Sequence, residues 1–195
     1  MAAKKDAAPG RPRDPETERR ILDVALRQLA EEGYSRMSLD HIAVAAGVSK
    51  PTIYRRWTGK ADLATAALRT IQIAEPAVDT GSTAGDLAAT LENFRRSLMR
   101  PNGMALVGTV LAEESHTPDL LSLFRERLVA PRRQMLRTIL ERARRKGELR
   151  PRANVECAIQ LLVGAFYARY LESGTVPPGF ARDLVDIVWQ GLRKG

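Results

Sequence analysis

The stretch that most narrows the choice of fold is residues 38–57, SLDHIAVAAGVSKPTIYRRW. Leu39, Ile42, Ala43 and Ala46 fall on one apolar stripe of a short helix, since residues three, four and seven apart share a face. Ser38 stands where a hydroxyl can accept from an otherwise unpaired N–H of the first turn. Gly47 follows the stripe, where a helix end wants φ > 0 and only glycine adopts it without steric cost. Val48 can then fold back as an apolar plug. Ser49 is placed to cap a second helix, with Pro51 in a first turn that does not need its missing N–H. Ile53 and Trp57, four apart, give that helix its inward face. Pro51 and Arg55 lie farthest from Ile53, with Thr52 and Tyr54 on the flanks. Such a pair is the pattern of a helix-turn-helix whose second helix enters a DNA major groove.

The remainder reads as helices. Aromatics are 5% of 195 residues and no strand pattern stands out, so an all-α chain is expected, long enough for a sizeable core. Asp14-Pro15-Glu16 opens a helix with a cap, a proline at its first position and an acid near the positive end of the dipole. Its inward residues are Ile21, Leu22, Ala25, Leu26 and Leu29, and Gly33 stops it; Tyr34 and Met37 close a small core. A fourth helix starts near Gly59 and runs through Leu63, Ala67, Leu68 and Ile71 towards Ile73. The turn-rich PAVDTGS segment from Pro76 to Ser82 is the expected border. This divides the chain into a disordered basic arm (1–13), a DNA-binding domain (14–75) and a helical regulatory and dimerisation domain (76–195). Five helical segments are expected in the last: 86–100, 104–114, 118–146, 154–173 and 178–193. Pro131 removes an N–H and crowds the Arg127 carbonyl, which predicts a kink or break near Val129.

The net charge of +8 invites an anionic partner. Its placement is uneven. Residues 1–75 hold 13 Lys/Arg against 10 Asp/Glu, and residues 125–152 hold 11 against 3. The DNA-binding reading therefore rests on the motif rather than on global charge, and the 125–152 cluster is a solvated face by default, or else selects an anionic effector or assists DNA binding. One cysteine, Cys157, forbids an intrachain disulfide and fits a reducing compartment. No apolar run is long enough to span a bilayer and the N-terminus lacks a signal core, so a soluble cytoplasmic protein without membrane association is expected.

With its flanks, the motif resembles the DNA-binding domain of the tetracycline-repressor (TetR) family of bacterial regulators. The matching run is ILDVALRQLAEEGYSRMSLDHIAVAAGVS through KPTIYRRWTGKADL, about a third of the chain. Ala25, Gly33, Tyr34, Ile42-Ala43, Ala46-Gly47-Val48-Ser49, Thr52, Tyr54 and Lys60 carry it. Trp57 stands where the family more often has Phe, and Gly59 where Ser or Asn is usual. Carried over by position, the resemblance implies DNA contacts from Ser38, Ser49, Lys50, Pro51, Thr52, Tyr54, Arg55, Arg56 and Lys60. Lys50, Pro51 and Thr52 fall nearest the base edges, Tyr54 and Lys60 suit phosphate, and Arg55 suits a guanine. Asp40 sits at the same edge, where phosphate repels a carboxylate unless it accepts from a cytosine amino group. Arg11 and Arg13 are candidates for an arm on the minor groove or phosphates.

The segment Val155–Leu171 is apolar nearly all round, with Gly164 and Ala165 allowing close approach, and the last helix carries two apolar rows. One face can serve the subunit and another a second copy. A homodimer through a four-helix bundle is expected, with Leu161, Gly164, Ala165, Leu184, Val185, Val188, Trp189 and Leu192 at its interface. The resemblance implies the same, together with a small-molecule effector pocket. Candidate lining residues, suited to a hydrophobic ligand, are Phe94, Leu98, Leu106, Val110, Leu111, Phe124, Met135, Ile139, Leu162, Phe166 and Tyr170. His116 beside Glu113-Glu114 lacks metal-ligand spacing and reads as a polar loop, His41 as a surface residue, and Cys157 as an inert buried thiol. No nucleophile–base set, phosphate loop, metal cluster or cofactor motif can be assembled.

The expected function is a sequence-specific transcription regulator, a repressor released from a palindromic operator by a small ligand. The residues also allow a regulator whose second domain only dimerises or binds proteins, and, from another class, an enzyme or carrier that uses a cavity in the helical domain.

Overall fold

A computed structural model describes residues 14–70 and 78–194. The proposed arm residues Arg11 and Arg13, the end of the fourth helix at Ile71 and Ile73, and the border at Pro76 lie outside the described residues. Among the described residues ten α-helices follow in chain order: α1 (Pro15–Glu32), α2 (Leu39–Ala45), α3 (Lys50–Tyr54), α4 (Lys60–Arg69), α5 (Thr83–Leu98), α6 (Gly103–Ala112), α7 (Pro118–Phe124), α8 (Ala130–Arg145), α9 (Val155–Ser173) and α10 (Phe180–Leu192). A π-helical turn, Arg125–Val129, joins α7 to α8. Among the described residues the only extended pairing is a single antiparallel bridge between Leu149 and Arg193.

Local chemistry sets most helix starts. Asp14, Ser38, Ser82 and Asn154 each accept a first-turn N–H through the side chain, which satisfies donors that have no partner within the helix. The expected break at Pro131 takes a specific form. Pro131 cannot donate to Arg127, and the chain accommodates it with one wide turn in which the Ala130 N–H reaches back to the Arg125 carbonyl.

Two apolar clusters hold the helices together. The first gathers Ile21, Ala25 and Leu29 of α1, Ile42 and Ala43 of α2, Ile53, Trp57, and Leu63, Ala67 and Leu68 of α4. It continues into α6 and α7 through Leu106, Val110, Leu120, Leu121 and Phe124, so the small core expected to close at Met37 is part of a larger one. The second packs α5, α8, α9 and α10 around Leu91, Phe94, Leu140, Ile159, Leu162 and Phe166. Phe166 meets Phe94 and Phe180 edge-on, with centroids 5.2 Å apart in each pair. Val107 packs against both clusters.

α9 and α10 settle which of their faces turn inward. Val185 and Leu192 were expected at a dimer interface, but both are taken up by the subunit's own core. Leu184, Val188 and Trp189 are half-buried against the same core. On α9 the outward row is Cys157, Leu161, Gly164, Ala168 and Leu171; on α10 it includes Ile187 and Gly191. Leu161, Leu171 and Ile187 are 57%, 82% and 73% exposed. Ala165 is half-buried. Cys157 is exposed rather than an inert buried thiol, because an all-apolar helix need not be buried on every side.

Candidate nucleic-acid interface

The reading helix is held from below and behind. α2 ends in a Schellman turn: Gly47 has φ 65°, its N–H reaches the Val44 carbonyl at 3.1 Å, and the Val48 N–H reaches the Ala43 carbonyl at 2.9 Å. α3 follows after one residue. Ile53 and Trp57 are buried in the first cluster, while Pro51, Tyr54 and Arg55 are exposed. The α-helix proper ends at Tyr54, and Arg55 and Arg56 continue as a tight turn through hydrogen bonds to Pro51 and Ile53.

The outward side chains are already ordered among themselves. Ser49 occupies the N-cap position, yet its hydroxyl meets the Thr52 hydroxyl at 2.9 Å instead of a backbone N–H. The Arg55 guanidinium donates to the Thr52 hydroxyl at 3.1 Å. Lys50 pairs with Asp40 at 2.7 Å, and that hydrogen bond holds the ammonium above its ordinary pKa. Asp40 thus orients a cation next to the site rather than facing phosphate alone. Lys60 donates to the Ser35 carbonyl at 3.1 Å and stands 4.6 Å from the Tyr34 ring centroid, which fixes it where α4 meets the α1–α2 turn. Ser38 caps α2 through the His41 N–H, and His41 is exposed.

Arg56 departs from expectation. It donates to the Thr52 carbonyl at 3.3 Å, its Nε lies 3.9 Å from Glu18 of α1, and its side chain is mostly buried. It braces α3 against α1 rather than joining the outward row. Gln28 is a positioning residue that the sequence reading missed. Buried on α1, it accepts the Ser38 N–H at 3.0 Å and donates to Glu32 at 3.2 Å, so the start of α2 is tied to α1. A polar residue among the apolar positions of α1 was the available signal.

The expected effector-pocket residues do not form one site. Phe94, Phe124 and Met135 line a small, mostly enclosed cavity of about 30 Å³ between α5, α8 and α9. Leu98, Leu106 and Phe124 line a separate groove against α1, and Leu98 and Tyr170 a third hollow. Val110, Ile139, Leu162 and Phe166 are core residues. Leu111 is 56% exposed and lines neither the cavity nor the groove. Arg132 and Tyr167, absent from the expected set, line the enclosed cavity. His116 is exposed beside Ser115. Among the described residues no three His, Cys, Asp or Glu side chains group as metal ligands would, and no helix is long and apolar enough to cross a membrane.

A short helix presented outward by a Schellman turn, on an all-helical body, defines a helix-turn-helix DNA-binding transcription regulator. The family model described as bacterial regulatory proteins, tetR family, matches residues 21–67, and the one described as tetracyclin repressor-like, C-terminal domain, matches residues 77–188. The chain belongs to the TetR family. The uncharacterized HTH-type transcriptional regulator YdeS of Bacillus subtilis is 35% identical over 189 residues, 94% of this chain and 93% of that protein. The DNA-binding transcriptional repressor TetR of Mycobacteroides abscessus is 34% identical over 174 residues, 86% of this chain and 89% of that one. Among solved structures, the TetR-family regulator SCO0332 superposes with a TM-score of 0.63 at 29% identity, covering 90% of this chain and 98% of its own. The flavonoid-responsive regulator FrrA superposes at 0.70 with 20% identity, covering 92% and 98%. Regulators of this family bind DNA and act as dimers.

Proposed function

We propose that the protein is a cytoplasmic homodimeric repressor that holds a palindromic operator through paired α3 helices and is released by a small ligand bound in its C-terminal half. In this reading residues 14–75 bind DNA and residues 76–195 sense and dimerise. One observation carries it: the row from Ser49 to Arg55 faces solvent as a hydrogen-bonded set, anchored beneath by Ile53 and Trp57. Lys50, Pro51, Thr52 and Arg55 meet base edges, while Tyr54 and Lys60 meet phosphate. The two copies of α3 lie roughly 34–36 Å apart, one turn of the duplex. Dimerisation uses the outward rows of α9 and α10.

Duplexes selected from a random pool provide the test. Tyr54→Phe and Lys60→Ala should weaken binding alike on all sequences, and Lys60→Ala should lower the salt slope by about 1. Arg55→Ala should relax preference at one base pair per half-site by ~1–3 kcal/mol. Unchanged affinity in all three variants refutes this placement of α3. A second reading, in which the C-terminal half only dimerises, draws support from the small cavity, since about 30 Å³ accommodates little more than ordered water. A metabolite panel that never releases a bound operator would favour it.

A further inference from the structure

Two hollows in the C-terminal half share a wall. The mostly enclosed cavity lies between α5, α8 and α9, with Phe94, Met135 and Tyr167 around it. On the other side of the wall, a solvent-open groove of about 380 Å³ runs along α1, with Asp23, Arg27 and Arg100 among its lining residues. Phe124 and Arg132 line both. The cavity alone falls an order of magnitude short of the roughly 300–1,000 Å³ of a small-molecule site, and the groove alone leaves an occupant in water. The groove already reaches that range, and joining it to the cavity gives an occupant a buried end as well as an open one.

The wall stands on irregular backbone. Phe124 is the last residue of α7, and the π turn Arg125–Val129 begins directly after it. Single π turns within helices are frequent at functional positions. Phe124 is the side chain whose displacement would join the two hollows.

Charge and surface chemistry select the occupant. Three guanidinium groups, Arg27, Arg100 and Arg132, line the groove against one carboxylate, Asp23. Among the described residues neither Arg27 nor Arg100 has a carboxylate at ion-pair distance. The Arg132 guanidinium lies 5.1 Å from the Phe94 ring centroid, so the aromatic face that would attract a cationic ligand already carries a cation. Burial pushes the Tyr167 phenol above its ordinary pKa, with Arg132 opposing, which keeps it a neutral donor near pH 7. Fixed cations and a neutral donor beside apolar walls suit a carboxylate attached to an apolar body.

We propose that the joined hollows bind an amphipathic organic anion, its carboxylate held by Arg132 with Arg27 and Arg100 at the open end and its aliphatic or aromatic body in the space that a displaced Phe124 side chain opens between groove and cavity. This deepens the ligand-release reading and rests on it.

Isothermal titration of the full-length protein with decanoate, decanamide, 2-naphthoate, 2-naphthamide and decyltrimethylammonium tests the idea. Each carboxylate should bind about tenfold or more tightly than its amide, as one charge-assisted hydrogen bond implies, and the quaternary amine most weakly. Arg132→Gln and the exposed double variant Arg27→Gln/Arg100→Gln should each lower carboxylate affinity more than amide affinity, and so reduce that preference. If Arg132→Gln fails to fold by circular dichroism, the double variant decides. Equal binding of acid and amide, no binding by any probe, or a preference that survives in the folded variants overturns the inference. Anisotropy of a bound operator separates the two readings. Carboxylate binding without release refutes ligand release and leaves the anion site standing; release by the amides or the amine alone refutes the anion site and leaves ligand release standing.

Discussion

Replacing Gly164 with leucine should move the subunit and the dimer in opposite directions. Gly164 lies in the middle of α9, is exposed, and a Cβ added there meets nothing within 4 Å. Nothing inside the subunit therefore requires glycine, although glycine at a mid-helix position costs about 0.8–1.0 kcal/mol relative to alanine. In an isolated subunit Gly164→Leu should stabilise α9 by somewhat less than that amount. In the proposed bundle the residue sits on the outward row with Leu161, Ala168 and Leu171, where a second copy approaches. One leucine forced into a packed contact costs about 1–3 kcal/mol, and symmetry introduces two, so the dimer should lose roughly 2–6 kcal/mol. That is a rise in dimer Kd of between about 30-fold and more than 10⁴-fold. Sedimentation equilibrium measures it directly, with thermal melts at low concentration reporting the subunit. Gly108→Leu is the control: that glycine is also helical and unobstructed, but lies on α6, away from the row. A Gly164→Leu dimer as tight as wild type, or equal losses in both variants, would show that the copies do not meet along this face.

Two further outcomes concern the supports. Asp86 is buried and accepts from the Thr80 N–H at 2.7 Å, from the Thr80 hydroxyl at 2.9 Å and from Arg142. Burial pushes its carboxyl up, but the Thr80 and Arg142 donors outweigh that and hold it below the ordinary value. A depressed folded-state pKa stabilises the fold fully above the unfolded value of about 3.9, and the contribution is lost as pH falls through the folded one. Asp86→Asn should cost about 2–3 kcal/mol at pH 7 in urea titrations, the gap to wild type narrowing below about pH 3.9. An equal gap at pH 7 and at acid pH would mean that the charge is not what those donors hold. Gln28→Ala should leave the Ser38 N–H without its partner at a cost of about 1–3 kcal/mol, read as faster amide exchange at Ser38 and weaker operator binding. Unaltered exchange there would remove Gln28 from the positioning of α2.

What the sequence displayed follows from range. The turn between α2 and α3 is decided within six residues: Gly47 supplies the positive φ, Val48 the plug and Pro51 the start of the next helix. Each acts on its neighbours, so each was legible. Caps at Asp14 and Ser38 are local in the same sense. The packing of Arg56 was not legible because its partner, Glu18, comes from another helix and nothing near residue 56 announces it. Gln28 was visible as a polar residue among the apolar positions of α1, but its partner, the Ser38 N–H, starts the next helix and could not be read from α1 alone. On α10 the pattern offered two apolar rows, and only packing against α5 and α9 decides that Val185 turns in while Ile187 turns out. The π turn lies between these cases. Pro131 made a break certain, but whether the chain kinks, splits or widens depends on how α7 and α8 must meet their neighbours.

Phe124 brings these threads to one residue. It belongs to the apolar cluster that contains Ile53 and Leu63, and it also lines the cavity beside Phe94. α7 packs on α4, and α6 on α1, so one wall residue of the cavity belongs to the same packed cluster that supports the reading helix. Close-packed interiors rearrange between discrete arrangements rather than deforming smoothly. In the proposed scheme a ligand that displaces Phe124 must therefore repack α4 or α1, and it can do so only by the margin with which it prefers the displaced state. A hundredfold preference supplies about 2.7 kcal/mol per subunit, within the usual range of coupling between two sites. Both ends bias one physical element, which is the condition for coupling, and no chain of intermediate residues is needed between them.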